Sequence, residues 1–80
     1  MQTLVTGGAG FIGRHLVATL VERGLPVRVL DTQPRGAAPE PVEWLQGSIL
    51  DEALLERALA GVEWIFHLAA IPHLWIADKA

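Results

Sequence analysis

The chain has 80 residues, enough for one small domain with a modest core. Its formal net charge is −3 with acids and bases interspersed, so the sequence lacks the basic patch of a nucleic-acid-binding protein and the polybasic run of a membrane-surface protein. It has no cysteine, which excludes disulfides and thiolate metal sites. The composition is 51% hydrophobic, and this predicts apolar faces meant for another part of a longer chain or for a partner, with a very compact core as the alternative.

Targeting and membrane signals are also missing from the sequence. The first residues, Met1 to Thr3, lack the charged start and long apolar segment of a signal peptide. Glycines and charges interrupt every apolar stretch before it reaches membrane-spanning length. We therefore expect a soluble cytoplasmic protein.

A strand, a glycine-rich turn and a helix open the chain. Residues 3–6 are apolar or β-branched, which predicts a strand buried on both faces. From Phe11 to Arg23 the apolar residues, among them Leu16 and Leu20, recur at helical spacing. Gly24 then predicts a left-handed end to this helix.

The remaining elements continue the alternation of strands and helices. The patterns predict strands at 27–31, 42–46 and 62–68, a loop with three prolines at 32–41, and a second helix that Asp51 caps and Gly61 ends. Helical connections imply parallel strands with right-handed crossovers. The predicted fold is α/β, the N-terminal half of a Rossmann-type sheet flanked by helices, with about four strands in the order 3-2-1-4.

The glycines of the first turn have the spacing of a dinucleotide-binding site. Gly8, Gly10 and Gly13 fit G-x-G-x-x-G, and Gly7 with the last two fits G-x-x-G-x-x-G. The first glycines permit a sharp turn, Gly10 lets a pyrophosphate approach the backbone, and Gly13 lets the helix approach the sheet. The helix N-terminus would then offer free N–H groups to the phosphates.

An acid at the end of the second strand narrows the ligand. Asp31 follows Gly13 by 18 residues, where a carboxylate accepts hydrogen bonds from the adenosine ribose hydroxyls. Because the carboxylate would repel a 2′-phosphate, we expect NAD. NADP stays open as the alternative, since Arg35 is close enough in sequence to reach such a phosphate.

Together with Asp31 and the H-L-A-A run at 67–70, the T-G-G-A-G-F-I-G run at 6–13 resembles the extended short-chain dehydrogenase/reductase family. Within that family it is most similar to the NAD-dependent epimerase/dehydratase group, which acts mostly on nucleotide sugars. The resemblance covers the chain but only the N-terminal part of a complete member. It implies that residues 1–80 are the N-terminal part of an NAD(P)-binding Rossmann domain, without the catalytic and substrate-binding portion.

The resemblance also implies cofactor contacts beyond those that the spacing indicates. Phe11 and Ile12 would lie against the pyrophosphate through their backbone, Gly47, Ser48 and Ile49 beside the adenine, and Leu68, Ala69 and Ala70 along the nicotinamide ribose. Many members carry an aspartate where Ser48 stands, and serine is a weaker acceptor for the adenine amine. The expected cofactor-binding residues are Gly7, Gly8, Gly10, Phe11, Ile12, Gly13, Asp31, Ser48, Ile49, Leu68, Ala69 and Ala70.

The catalytic residues of the family are missing from these 80 residues. The family uses a Tyr-x-x-x-Lys pair, whereas this chain has no tyrosine and its only lysine is Lys79. We therefore expect no catalysis by the chain alone. The expected parent is a nucleotide-sugar epimerase, dehydratase or related oxidoreductase that binds a small-molecule substrate and could form a homodimer.

Other functions stay open from the residues alone. A non-catalytic dinucleotide sensor or remnant module is the main alternative. A flavin- or S-adenosylmethionine-binding Rossmann unit fits the glycine spacing and the H-L-A-A run less well. The histidines His15, His67 and His73 have no metal-ligand spacing, so we expect no metal, and His67 is interpreted as a hydrogen-bonded structural residue.

Overall fold

Four parallel strands and two helices make up the part of the chain, residues 2–68, that the computed structural model describes. In chain order they are β1 (Gln2–Thr6), α1 (Phe11–Glu22), β2 (Val27–Asp31), β3 (Glu43–Gln46), α2 (Glu52–Leu59) and β4 (Val62–His67). The strands lie in the order β3-β2-β1-β4 and every neighbouring pair is parallel. The predicted α/β fold and strand order are confirmed, and the predicted bounds of β1, α1, β3 and β4 differ from the observed ones by one residue.

β1 is the centre of the sheet, and both of its faces are covered. Leu4 and Val5 are completely buried, as the apolar run predicts for a central parallel strand. On one face the buried residues are Val5, Val17, Leu20, Val27, Val29 and Val42; on the other they are Leu4, Leu30 and Ala58. α1 therefore supplies the cover of the first face and α2 the cover of the second.

The end of α1 has the glycine geometry that the sequence predicts. Gly24 has a φ of 77°, a conformation that glycine adopts without a steric penalty. Its N–H donates to the carbonyl of Val21 at 2.9 Å, and the N–H of Leu25 donates to the carbonyl of Leu20 at 3.1 Å. These bonds satisfy carbonyls of the last turn and direct the chain into β2.

α2 is fixed at both ends by side chains. At its N-terminus, Asp51 Oδ1 accepts a hydrogen bond from the backbone N–H of Leu54 at 3.1 Å, which confirms the predicted cap. At its C-terminus, Arg28 of β2 donates to the carbonyls of Ala58 and Ala60, each at 2.8 Å. A cation at this end also interacts favourably with the helix dipole.

β4 leaves large apolar side chains exposed on both faces of the sheet. Trp64 is 57% exposed and Ile65 is 54% exposed, and these neighbours point to opposite faces because side chains alternate along a strand. Within residues 2–68 no strand pairs with the outer edge of β4. Such surface fits the expectation that another segment or partner covers it. Neither described helix is long and apolar enough to cross a membrane.

The attachment of Arg28 to α2 gives a stability prediction. Arg28→Met should lower the free energy of unfolding by about 2 kcal/mol, since it removes charge-assisted hydrogen bonds to the end of the helix. Urea denaturation followed by circular dichroism measures the change.

Glu43→Gln is the matched control for this variant. It removes only the ion pair between Arg28 Nε and Glu43 Oε1, which lie 2.8 Å apart. The Glu43 side chain is 55% exposed. An exposed ion pair contributes less than about 1 kcal/mol. Equal losses in the two variants would show that the ion pair, and not the contact with the helix, is what stabilises this region.

Candidate functional site

The carboxyl ends of the strands are held together by backbone hydrogen bonds that continue past the strands. Leu68 N donates to Thr6 O at 2.9 Å, Gly7 N donates to Leu30 O at 3.1 Å, and Gly47 N donates to Asp31 O at 2.8 Å. These bonds fix the first residue after β4, β1 and β3. The three residues that follow the strands therefore have defined positions at one edge of the sheet.

A cavity of about 510 Å³ lies at this edge. Its lining residues come from the turn after β1, from the end of β2 and the segment that follows it, and from the segments after β3 and β4: Gly7, Ala9, Gly10, Leu30, Asp31, Thr32, Gln33, Gly47, Ser48, Ile49 and Leu68. Pockets of this size hold small molecules and cofactors. The position agrees with the rule that ligands of open α/β sheets bind beyond the carboxyl ends of the strands.

Two of the glycines are required by the packing of the turn itself. A methyl group on Gly13 would lie 2.2 Å from the carbonyl oxygen of Gly7, so no larger residue fits. A methyl group on Gly8 would lie 2.7 Å from Val29 Cγ1. The predicted roles therefore change: Gly8 makes the close approach to the sheet, and Gly13 packs against the turn.

Gly10 is different, because no neighbour within residues 2–68 requires a glycine there. Its φ of −71° and ψ of 172° are open to any residue, and an added methyl group would only reach ordinary contact with Gly7 O at 3.6 Å. Gly10 nevertheless lines the cavity. Among the described residues, nothing fills the space beside this bare backbone.

The N-terminus of α1 has no side-chain cap. Gly10 occupies the cap position, no side chain accepts a hydrogen bond there, and the first turn has no acid. α2 shows the contrast, with Asp51 as its cap and Glu52 in its first turn. The first N–H groups of a helix have no acceptor within the helix. Those of α1 are therefore suited to an anion, which the helix dipole also favours.

The Asp31 carboxylate connects two backbone segments of the cavity wall. Its Oδ2 accepts a hydrogen bond from Ala9 N at 2.9 Å, and its Oδ1 accepts one from Gln33 N at 2.8 Å. Each carboxylate oxygen has a second lone pair for a further donor. Asp31 is thus held in one orientation at the cavity while keeping the capacity to accept hydroxyl groups.

The guanidinium of Arg35 is bound within its own loop. Its guanidinium donates to the carbonyls of Pro39 at 2.6 Å, Glu40 at 3.0 Å and Val42 at 2.5 Å, all in or next to its own loop. Arg35 is also absent from the residues that line the cavity. The interpretation of Arg35 as a residue that reaches a 2′-phosphate stays a prediction, since Arg35 lines a neighbouring cavity together with Gly8 and Ala9 of the glycine-rich turn.

The structure brings together part of the predicted cofactor-binding set. Gly7, Gly10, Asp31, Ser48, Ile49 and Leu68 line the cavity, whereas Gly8, Phe11, Ile12 and Gly13 do not, and Ala69 and Ala70 lie outside the described residues. Sequence reasoning missed Ala9, Leu30, Thr32 and Gln33. The last two follow β2 directly, so the meeting of parallel strand ends at one edge was the signal for them.

His67 has the structural contact that the sequence analysis expected. Its Nδ1 lies 2.7 Å from the hydroxyl oxygen of Thr6, within hydrogen-bond distance. This contact joins the end of β4 to the end of β1, directly before the glycine-rich turn. Within residues 2–68, no three His, Cys, Asp or Glu side chains form a group that could hold a metal ion.

Comparisons with known proteins agree with this fold. The model of the NAD dependent epimerase/dehydratase family matches residues 3–77. A 3 beta-hydroxysteroid dehydrogenase/Delta 5→4-isomerase of Mycobacterium tuberculosis is 47% identical over 74 residues, which are 91% of this chain and 20% of that relative.

Solved structures give the same result. A short-chain dehydrogenase/reductase superfamily protein from Agrobacterium tumefaciens with bound NAD matches with a TM-score of 0.81 and 38% identity, over 99% of this chain and 23% of that chain. The UDP-glucose 4-epimerase of Thermus thermophilus in complex with NAD matches with a TM-score of 0.78 and 42% identity, over 89% of this chain and 24% of that chain. The chain thus spans about a quarter or less of the proteins that it resembles.

The crowding around Gly13 gives a prediction about the turn. Gly13→Ala should lower the free energy of unfolding by about 3 kcal/mol, because overpacking against backbone atoms cannot be relieved by a rotamer change. Gly10→Ala adds the same methyl group where the described residues leave space for it. This variant should lower the free energy of unfolding by less than about 1 kcal/mol. Thermal and urea unfolding of both variants test this; equal losses would mean that the turn does not have the described packing.

Proposed function

Because the chain belongs to the NAD dependent epimerase/dehydratase family, we propose that it binds NAD in the cavity at the carboxyl ends of its strands. The observation that carries this proposal is Gly10, a glycine that the fold does not need and that lies where the uncapped α1 N-terminus meets the cavity. The cavity of about 510 Å³ and the free lone pairs of Asp31 fit the same ligand.

The pyrophosphate would bind at the glycine-rich turn. Without a side chain, Gly10 allows phosphate oxygens to reach backbone N–H groups. The N–H groups of Phe11, Ile12 and Gly13 in the first turn of α1 would donate to them, and the helix dipole adds a favourable term. Gly7 and Gly8 contribute by shaping the turn. The exposed side chains of Phe11 and Ile12 are not needed for this contact.

The adenosine would bind between the segments that follow β2 and β3. Asp31 would accept hydrogen bonds from the ribose hydroxyls, and Ser48 and Ile49 would lie beside the adenine. Ser48 Oγ already accepts a hydrogen bond from Leu50 N at 3.0 Å, which leaves it one lone pair for an adenine amine. The base would therefore be held mainly by apolar contact.

The choice between NAD and NADP follows from charge. The Asp31 carboxylate would repel a 2′-phosphate, and the guanidinium of Arg35 is bound to loop carbonyls. We therefore propose NAD as the cofactor. On the nicotinamide side, Leu68 with Ala69 and Ala70 would contact the ribose; the two alanines lie outside the described residues.

For the whole protein, we propose that these 80 residues are the N-terminal part of an NAD-binding domain in a nucleotide-sugar epimerase, dehydratase or related oxidoreductase. The resemblance to a UDP-glucose 4-epimerase supports a nucleotide-sugar epimerase. The resemblance to a hydroxysteroid dehydrogenase supports the broader class of related oxidoreductases. Bound NAD would supply a nicotinamide that accepts a hydride. The described residues bind and orient; the acid/base residues would come from another segment. A cytoplasmic location and a homodimer belong to the same proposal.

NAD binding is tested by calorimetric titration of the wild-type protein and of Gly10→Ala. The wild type should bind NAD, and the variant should bind it at least about tenfold more weakly because the methyl group separates phosphate from backbone donors. The thermal midpoints should differ by no more than a few degrees, since the methyl group meets no crowding among the described residues. Equal NAD affinity in the two proteins would overturn the proposed site.

Asp31 gives an independent prediction about cofactor choice. Asp31→Asn should weaken NAD binding by about tenfold, because a charged acceptor of ribose hydroxyls is lost, and should leave NADP binding equal or tighter. Titration with both dinucleotides measures the two affinities. If NADP weakened as much as NAD, Asp31 would act only by holding the cavity wall together.

A further inference from the structure

The segment between β2 and β3, residues 32–42, forms part of the cavity wall and has no assigned role. Thr32 and Gln33 line the cavity. The backbone carbonyls of both residues accept hydrogen bonds from side chains of β3. The indole Nε1 of Trp44 donates to Gln33 O at 3.0 Å, and Gln46 Nε2 donates to Thr32 O at 3.3 Å. Two side chains of a sheet strand therefore fix the backbone of this wall.

Gln33 links Trp44 to Asp31 through two backbone hydrogen bonds. Gln33 uses its carbonyl to accept from Trp44 and its N–H to donate to Asp31 Oδ1 at 2.8 Å. Trp44 itself is well fixed, since it is paired in register with Val29 and packs against the core on the α1 face. The backbone of Gln33 cannot turn without losing one of these bonds, so the position of the indole restricts the carboxylate.

Arg35 fastens the other part of the same segment. Its guanidinium donates to the carbonyls of Pro39, Glu40 and Val42, which closes the loop onto the start of β3. With both parts attached, the segment has little freedom to move away from the cavity.

We propose that Trp44 is a positioning residue that sets the preference of this site for NAD over NADP, by holding Gln33 and through it the Asp31 carboxylate, with Arg35 fastening the same segment. This inference rests on the proposed NAD binding. A carboxylate held towards the ribose accepts a hydrogen bond from a 2′-hydroxyl and repels a 2′-phosphate. If the Trp44 contact is lost, the Asp31 carboxylate can move away from the ribose. It then no longer accepts the hydrogen bond from NAD, and it repels the 2′-phosphate of NADP less.

Trp44→Phe tests this inference, because it removes the indole N–H and keeps an aromatic side chain. We expect NAD to bind about five- to tenfold more weakly and NADP to bind equally or more tightly, so that the ratio of the two affinities narrows. Titrations with NAD and with NADP measure the ratio. Trp64→Phe is the matched control at the opposite edge of the sheet and should leave the ratio unchanged.

The changes in NAD and NADP affinity distinguish a positioning role of Trp44 from a role in packing alone. Equal weakening of both dinucleotides by Trp44→Phe would overturn the inference, because a residue that only packs affects both alike. Arg35→Met should also narrow the ratio; if NADP alone weakened, Arg35 would be a phosphate ligand and the inference would be wrong. Thermal unfolding shows that each variant is folded. Wild-type protein that bound neither dinucleotide would overturn the proposed function, and this inference with it.

Discussion

The Asp31 carboxylate is the contact on which the described site depends. It joins the glycine-rich turn, through Ala9 N, to the segment after β2, through Gln33 N, so that two separate pieces of backbone become one cavity wall. Its own position is fixed because it ends a strand whose Val29 and Leu30 are completely buried. A single acid thus serves the structure of the site and, under the proposed function, the recognition of the ribose.

The glycines of the turn divide their roles between the fold and the ligand. Gly13 and Gly8 are required by atoms of the chain itself, the first by the turn and the second by Val29. Gly10 meets no such constraint from the described residues, and under the proposed function its lack of a side chain admits the pyrophosphate. This difference separates the positions that maintain the turn from the position proposed to admit the ligand, a distinction that the G-x-G-x-x-G spacing does not draw.

Much of the fold and half of the site could be predicted from the sequence, because both depend on local patterns. The periodicity of apolar residues predicted the strands and helices. The sequence separation between Gly13 and Asp31 predicted that the acid lies at the cavity. The contacts of Gln33 and Trp44 could not be predicted, since they join residues of a loop to a strand in a register that no local pattern fixes. The contacts of Arg35 could not be predicted for the same reason: its guanidinium binds carbonyls of its own loop, and sequence proximity does not reveal this.

The central claim is that the turn and Asp31 together form the binding site for NAD. Titration of the ¹⁵N-labelled protein with NAD, followed by two-dimensional NMR, tests it most directly because every backbone amide reports separately. We expect the largest shifts at the amides of Gly10 to Gly13 and at Ala9 and Gln33, which donate to Asp31. Largest shifts at the exposed residues of β4, with the turn unchanged, would contradict it.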